Sequence, residues 1–443
     1  MKLSRISDVL NGKLLGHDAD VHSFSIDTRT LQPGDLYFAI RGESLDGHAF
    51  VANAVEKGAS CLVVDREIST SAPCIIVSNT TQALQKLAAY WRQQSSAKAI
   101  AVTGSCGKTT TRAFLKSVFS EAGSVHASIG SFNNHIGVPL TLLGLKPSHD
   151  YLIAELGTNH RGEIPALTPL VKPDVSIITN VAPAHLEGFG SVENIAIEKA
   201  AIYSGLSDTG VAIVNADDAF SEEWSDLNRQ RKVITFGVTS PADISAKNIT
   251  MDTSGVATFV LVLPSVEKSV TLAMMGKHNV MNALAAAAAG YALGLSIDQI
   301  AAGLEKATTE KRRLVEIKLP IGAVLIDDSY NANPLSTEAA IHLLVSRPGQ
   351  SVFVFGDMGE LGTDAVKLHT DIGRTAKECG VDTLYACGNL TKNTVDSFGD
   401  RGFYFSDKQA LIEKLRENLT KEQVILVKGS NFMKMNEIVE GLK

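Results

Sequence analysis

The run Thr103-Gly104-Ser105-Cys106-Gly107-Lys108-Thr109-Thr110 stands between an apolar segment and an amphipathic one. Its glycines let consecutive backbone N–H groups turn toward phosphate oxygens, and the start of the following helix adds positive potential. Lys108 can reach the outer phosphates of a nucleotide, and the Thr109 hydroxyl can bind Mg²⁺. The full phosphate-loop spacing would put a glycine at 102, where this chain has Val102, so Gly104-x-x-Gly107-Lys108-Thr109 carries the motif. A magnesium ion needs further oxygen ligands. Glu155 ends the apolar run Leu152-Ile153-Ala154, and His185 follows the next such run, on the same expected sheet edge. The plain alternatives are a bare strand-to-helix turn, a helix cap at Glu155 and a structural histidine.

These residues need strands and helices to hold them. Residues 1–96 read as a small α/β unit, with strands expected at 21–26, 36–40, 61–64 and 75–77 and helices at 47–57 and 81–94. The polar stretch Gln93-Gln94-Ser95-Ser96 reads as a linker. A second unit, 97–313, has buried-strand runs at 99–103, 151–154, 175–179 and 211–214 separated by helix-length segments, the pattern of a parallel sheet. Residues 242–275 alternate instead and read as an antiparallel annex, followed by helices from about 279 to 307. In the last unit, 314–443, strands expected at 323–326, 352–355, 383–386 and 424–427 each run into Gly or Asp within two residues. Ligands of such folds sit outside the carboxyl ends of the strands.

The 443 residues suggest about three domains, and the 44% apolar and 20% charged content is that of a globular chain. With 41 Lys+Arg against 48 Asp+Glu, the formal charge is −7. That balance argues against a general nucleic-acid binder while leaving room for an anionic ligand in one cationic cleft. The longest apolar run, residues 283–295, is half alanine. It falls short of the roughly 20 residues that cross a bilayer and reads as a buried helix. Five cysteines without a Cys-x-x-Cys pair make zinc and structural disulfides unexpected and a reducing cytoplasm the expected compartment.

Together these motifs resemble the Mur ligases, the ATP-dependent amide-forming enzymes of peptidoglycan precursor assembly, along essentially the whole chain. The shortened phosphate loop is that family's own form. Ser25-Ile26-Asp27-Thr28-Arg29, Gly42 and Asp46-Gly47-His48 are similar to the amino-terminal module that holds the UDP end of the substrate. Asn133-Asn134-His135 resembles the loop after the phosphate-loop helix. Glu155-Leu156-Gly157-Thr158-Asn159-His160 resembles the branch that adds D-alanyl-D-alanine to UDP-N-acetylmuramoyl-tripeptide. The resemblance implies an adenine contact at Asn279, a ribose contact at Asp328, and Arg313 on the hinge side of the phosphates. It implies substrate contacts at Ser25, Thr28, Arg29, Gly42, Asp46, Asn134, Thr158, Asn159, His160, Asn331, Lys428 and Ser430. Lys199 matches the lysine that captures CO₂ as a carbamate, which with Thr109, Glu155 and His185 would serve two magnesium ions. Asn431 stands where an arginine is usual.

The implied fold is a central P-loop parallel-sheet ATPase domain flanked by a small UDP-binding α/β domain and a Rossmann-like α/β domain that closes on ATP. The implied enzyme is a cytoplasmic monomer of cell-wall synthesis, without nucleic acid or membrane insertion. Its carboxylate substrate attacks the γ-phosphate of ATP, and the dipeptide amine then displaces phosphate from the acyl phosphate. Lys108, Glu155, His185, Lys199 and Arg313 would carry that chemistry. Three other readings stand beside this one: another amino-acid-adding Mur ligase, a folylpolyglutamate-type synthase, and a regulatory P-loop ATPase. For single residues the plain alternatives are a solvated helix face for Lys199, helix capping for Asn279, an Asx turn for Asp327-Asp328 and an exposed hairpin arm for 25–29.

Overall fold

Three β-sheets organise the chain, and the computed structural model describes residues 1–42, 45–183 and 185–443. The first sheet holds β1 (Lys13–Leu15), β2 (Ser23–Ser25), β3 (Asp35–Phe38), β4 (Cys61–Val64) and β5 (Cys74–Ile76), in the order β1-β5-β4-β3-β2. Every residue of β3 and β4 is buried, as in strands covered on both faces. The helix Thr80–Gln93 starts at Asn79, whose side chain accepts from the Gln82 amide. Its outer face docks on the next domain: Trp91 Nε1 donates to Leu145 O at 2.9 Å and buried Arg92 Nε to Val171 O at 2.8 Å. Arg92 also donates to Ser95 O at 3.1 Å, which ties down the polar stretch leading into the next strand.

The second sheet holds β6 (Lys98–Thr103), β7 (Val125–Ala127), β8 (Tyr151–Glu155), β9 (Val175–Ile178), β10 (Val211–Asn215), β11 (Lys232–Gly237), β12 (Ile244–Met251), β13 (Val256–Leu263) and β14 (Val266–Met275). Their order is β14-β13-β12-β11-β10-β9-β6-β8-β7. The antiparallel segment is no separate annex, because β12 pairs in parallel with β11 through Phe236↔Ile244 and so extends the same sheet. β6 lies between β8 and β9, where the strand order reverses. Such a reversal opens a crevice at the carboxyl ends of the strands. The alanine-rich run is part of the helix His278–Ala292, buried from Ala283 to Gly290. Small side chains there and at Gly303 allow close approach to the helix Lys108–Ser120; a Cβ on Gly303 would overlap the Val118 backbone. Among the described residues, no helix is long and apolar enough to cross a membrane.

The third sheet holds β15 (Val315–Lys318), β16 (Val324–Asp328), β17 (Gln350–Gly356), β18 (Thr383–Cys387), β19 (Gly402–Phe405) and β20 (Gln423–Lys428), in the order β15-β16-β20-β17-β18-β19. All neighbours are parallel except the β15 edge. The connection into this domain contains two left-handed non-glycine residues, Arg312 (φ 65°) and Leu314 (φ 53°). Each costs on the order of 1 kcal/mol and persists only where surroundings impose it. Arg312 Nη2, donating to Ser329 O at 2.7 Å, supplies part of that constraint. The architecture is thus three α/β domains with mostly parallel sheets.

Candidate active site

The turn between β6 and the helix Lys108–Ser120 is clamped from the neighbouring strand end. Thr179 Oγ1 donates to Cys106 O at 2.5 Å. Asn180 Oδ1 accepts from the Cys106 amide at 3.0 Å, and the Ser105 amide donates to Asn180 O at 2.9 Å. Gly104 has φ 153° and Gly107 φ 80°. A Cβ at Gly104 would overlap Thr179 Oγ1, and one at Gly107 would overlap Asn282 Oδ1. The loop is therefore a preformed cradle with its amides held in place. Lys108 Nζ donates to Gly104 O at 2.6 Å. Burial pushes the Lys108 ammonium below its usual pKa, and the Glu155 charge opposes that shift.

Glu155, at the carboxyl end of β8, is only 2% exposed. Its Oε1 accepts from Thr109 Oγ1 at 3.3 Å and from Asn133 Nδ2 at 2.9 Å. Its Oε2 lies 3.1 Å from Arg112 Nη1, too poorly aligned for a hydrogen bond, and is a buried oxygen without a hydrogen-bond partner. A buried carboxylate with one oxygen against the Thr109 hydroxyl and the other without a hydrogen bond fits a divalent cation, a hard ion that takes oxygen ligands.

His185 adopts a left-handed conformation (φ 54°) and bonds through Nδ1 to Glu360 of the third domain. Lys199, on the helix Val192–Ala200, is 2% exposed, so the solvated-face alternative is wrong. Among the described residues Lys199 Nζ has no hydrogen-bond or ion-pair partner. Burial first, and then the Lys108 charge, pushes its pKa well below the usual lysine value. The neighbouring Glu198 is also buried and accepts from the Gly162 and Ile164 amides, each at 2.7 Å. It thereby anchors the 158–164 loop to the Lys199 helix.

The opposite wall comes from the third domain and the helix His278–Ala292. Asp328 and Lys428 lie opposite each other in the β16–β20 register and form an ion pair at 2.5 Å; Lys428 also donates to Asn331 O at 3.1 Å. Asp327, not Asp328, makes the Asx turn, accepting from the Ser329 amide at 3.1 Å. Arg313 stacks on Tyr330, with its guanidinium carbon 4.3 Å from the ring centroid. Asn279 Nδ2 donates back to Met275 O at 2.6 Å, and Asn279 Oδ1 accepts from Asn282 at 2.9 Å, so Asn279 does not act as a helix cap. Asn333 caps the helix Pro334–Ser346 and also reaches Cys106, with Nδ2 to Sγ at 3.1 Å. Ser430 Oγ donates to Ala332 O at 3.3 Å, and Asn431 accepts from Arg312 at 3.4 Å.

One cavity of about 660 Å³ collects most of these groups: residues 105–110, Asn134, Glu155, Thr158, Asn159, His185, Asn279, Arg313, Asp328, Asn331 and Lys428. Gly104, His160, Lys199 and Ser430 are not part of its lining. The five candidates of the first domain are also elsewhere. Arg29 pairs with Asp27 at 2.6 Å, Thr28 O accepts from Lys57 at 2.7 Å, and the Gly42 amide donates to Leu45 O at 2.9 Å. Buried Ser25 donates to Asp27 O at 3.1 Å, and Asp46 is held by His48 at 2.6 Å and Arg66 at 3.0 Å. Sequence reasoning missed Thr179, Asn180, Asn282 and Arg112. The first two carried a usable signal, since polar residues directly after a buried strand next to the phosphate loop belong to the same strand-end crevice.

Family models match along nearly the whole chain: the Mur ligase family catalytic domain at residues 20–94, the Mur ligase middle domain at 102–290, and the Mur ligase glutamate ligase domain at 312–431. The UDP-N-acetylmuramoyl-tripeptide–D-alanyl-D-alanine ligase of Escherichia coli is 40% identical over 444 residues, covering 100% of this chain and 98% of the relative. A crystal structure of MurF from Acinetobacter baumannii superposes with a TM-score of 0.92 at 34% identity, covering 99% of this chain and 98% of that one. MurF ligase from Thermotoga maritima in complex with ADP gives 0.83 at 25% identity, covering 95% and 97%. With likeness running unbroken through all three domains and the clamped phosphate cradle at their junction, the chain belongs to the Mur ligase family.

Proposed function

We propose that this chain joins D-alanyl-D-alanine to UDP-N-acetylmuramoyl-tripeptide, driven by conversion of ATP to ADP and phosphate, in peptidoglycan precursor synthesis. The observation that carries this reading is the convergence on one cavity of the phosphate cradle, Glu155, and Asp328, Asn331 and Lys428 of the third domain. Full-length identity to the E. coli ligase selects the branch.

The carboxylate acceptor and the γ-phosphate are both anions, so the site must neutralise charge before a bond can form. Lys108 and Arg313, with the amides of residues 107–109, are the groups for that task, acting in a cleft with little water to screen them. The Lys108 amine is held close to the loop and needs only a rotamer change to reach a phosphate. Thr109 and Glu155 would hold magnesium, which supplies positive charge against the phosphate oxygens. The amine of the dipeptide then attacks the acyl phosphate, and phosphate leaves. Closure of the third domain over the cleft keeps water from the acyl phosphate. The contact between His185 and Glu360 already bridges the two bodies.

Lys199 fits the carbamate role because it is buried and burial pushes its pKa well below the usual lysine value, which favours the neutral amine that CO₂ requires. Bond formation between Nζ and the carbon of CO₂, with loss of one proton, would turn the neutral amine into an anionic ligand near Lys108. Lys199→Ala should lose ligation and regain part of it with short-chain carboxylic acids; full activity without them would refute the role. The first domain, through the 25–48 segments, is the proposed UDP-binding module. All proposed groups come from one chain, so the working form proposed is a monomer, in the cytoplasm with its nucleotide substrates. The decisive assay is phosphate release across a panel of UDP-muramoyl peptides with D-alanyl-D-alanine or single amino acids. Release should require the tripeptide and the dipeptide together. Equal release with ATP alone would defeat the proposal.

A further inference from the structure

Arg112 lies one helical turn beyond Lys108, and its side chain is 2% exposed. Its guanidinium is shared three ways. Nη1 donates to Gly130 O at 2.6 Å and lies 3.1 Å from Glu155 Oε2, and Nη2 bonds to Glu310 Oε1. Gly130 precedes the loop whose Asn133 holds the other Glu155 oxygen. Glu310 sits in the interdomain connection, two and four residues before the left-handed Arg312 and Leu314. Among the described residues, Glu310 bonds to the guanidinium and not to Glu155.

We propose that Arg112 is a positioning residue that couples the interdomain connection to the metal-binding carboxylate. Its planar fork is hydrogen-bonded to Gly130 O and Glu310 while its charge faces Glu155 Oε2 at 3.1 Å, so the setting of the connection and the aim of the Glu155 oxygens change together. The inference rests on the reading of Glu155 as a metal ligand. Removing Arg112 would leave a buried carboxylate without its countercharge and free it to turn from Thr109. Lysine would keep the charge but lose the fork, because a single ammonium cannot span acceptors on three segments. Loss of Glu310 would leave Glu155 paired yet unlink it from the connection. Groups that orient a metal-binding side chain change metal affinity by about 10–100-fold when removed.

The test uses the full chain and no ligation chemistry: calorimetric affinity for ADP with and without Mg²⁺. In the wild type Mg²⁺ should tighten ADP binding. In Arg112→Gln that enhancement should fall by about tenfold or more, with metal-free ADP affinity within about twofold of wild type. Glu310→Gln should lower the enhancement in the same direction by a smaller factor, and the double variant should fall no further than Arg112→Gln. Arg112→Lys, with its melting temperature checked, carries the test if Arg112→Gln does not fold. An unchanged Mg²⁺ enhancement in the Arg112 variants, an unaffected Glu310→Gln, or equal loss of metal-free binding would each overturn the coupling. A wild type whose ADP affinity ignores Mg²⁺ would instead overturn the metal-ligand reading of Glu155, and the inference with it.

Discussion

Gly107→Ala is the sharpest perturbation of the cradle, because its cost divides into two separable parts. Gly107 has φ 80°, and a side chain in the left-handed region costs about 1–2 kcal/mol. The new Cβ would also displace Asn282, whose Oδ1 it overlaps and whose Cγ lies only 3.2 Å away. Moving Asn282 gives up its bonds with Thr111 Oγ1 at 3.3 Å and Asn279 at 2.9 Å. At about 1 kcal/mol per buried hydrogen bond, the whole penalty is on the order of 3–4 kcal/mol. At 1.4 kcal/mol per tenfold, ADP should bind at least about 100-fold more weakly if the cradle must re-form on binding. Asn282→Ala removes the three atoms nearest the new Cβ, so the double variant should keep the backbone cost and the lost bonds. The cycle should then show a favourable coupling of about 2 kcal/mol, the two bonds counted once instead of twice. Titration calorimetry of ADP against the four proteins, with melting curves as a folding control, measures it. Normal binding by Gly107→Ala, or strict additivity in the double variant, would refute the argument.

Three other outcomes are expected. Burial works against the Asp217 charge, but bonds from Thr239, Val238 and Ser240 outweigh it and hold its pKa down to about 2. This group therefore adds stability above its ordinary value of 3.8, lost as pH falls through about 2; after allowing for solvent screening the gain is about 1 kcal/mol. The urea stability gap between wild type and Asp217→Asn should accordingly close over that window. Cys106 lies in the cavity wall and should be labelled by a thiol reagent unless nucleotide is bound, while burial raises the Cys61 thiol to about 12 and leaves it unreactive until the chain unfolds. Mass spectrometry of labelled peptides checks this. Lys199→Met should raise the melting temperature while abolishing ligation, since it replaces a buried amine, whose charged form burial disfavours, with an apolar chain of similar volume.

Much of the frame was legible because local chemistry writes it. Short, mostly apolar runs of four or five residues marked β4, β6, β8, β9, β10, β16, β17, β18 and β20 to within a few residues. The elements missed were mostly edge strands. β7 is three half-buried residues, and β19 carries an exposed Phe403. An edge strand buries little, so its residues need not be apolar. β15 did alternate as Val-Glu-Ile-Lys, a period-two signal that could have been read.

The phosphate cradle is written in a short stretch of residues, because glycine tolerance of positive φ and the helix start are local properties. The acids at strand ends are legible in the same local way. Which acids meet which cations is set by the packing of distant segments. Asp328 and Lys428 are 100 residues apart and paired by sheet register, and Glu155 flanks the cradle because β6 inserts between β8 and β9. Strand order of that kind follows from burial shared among distant segments, which no short window of residues encodes. The same holds for Lys199 and Arg112: whether a charged residue on a helix meets water or protein depends on what packs against that face.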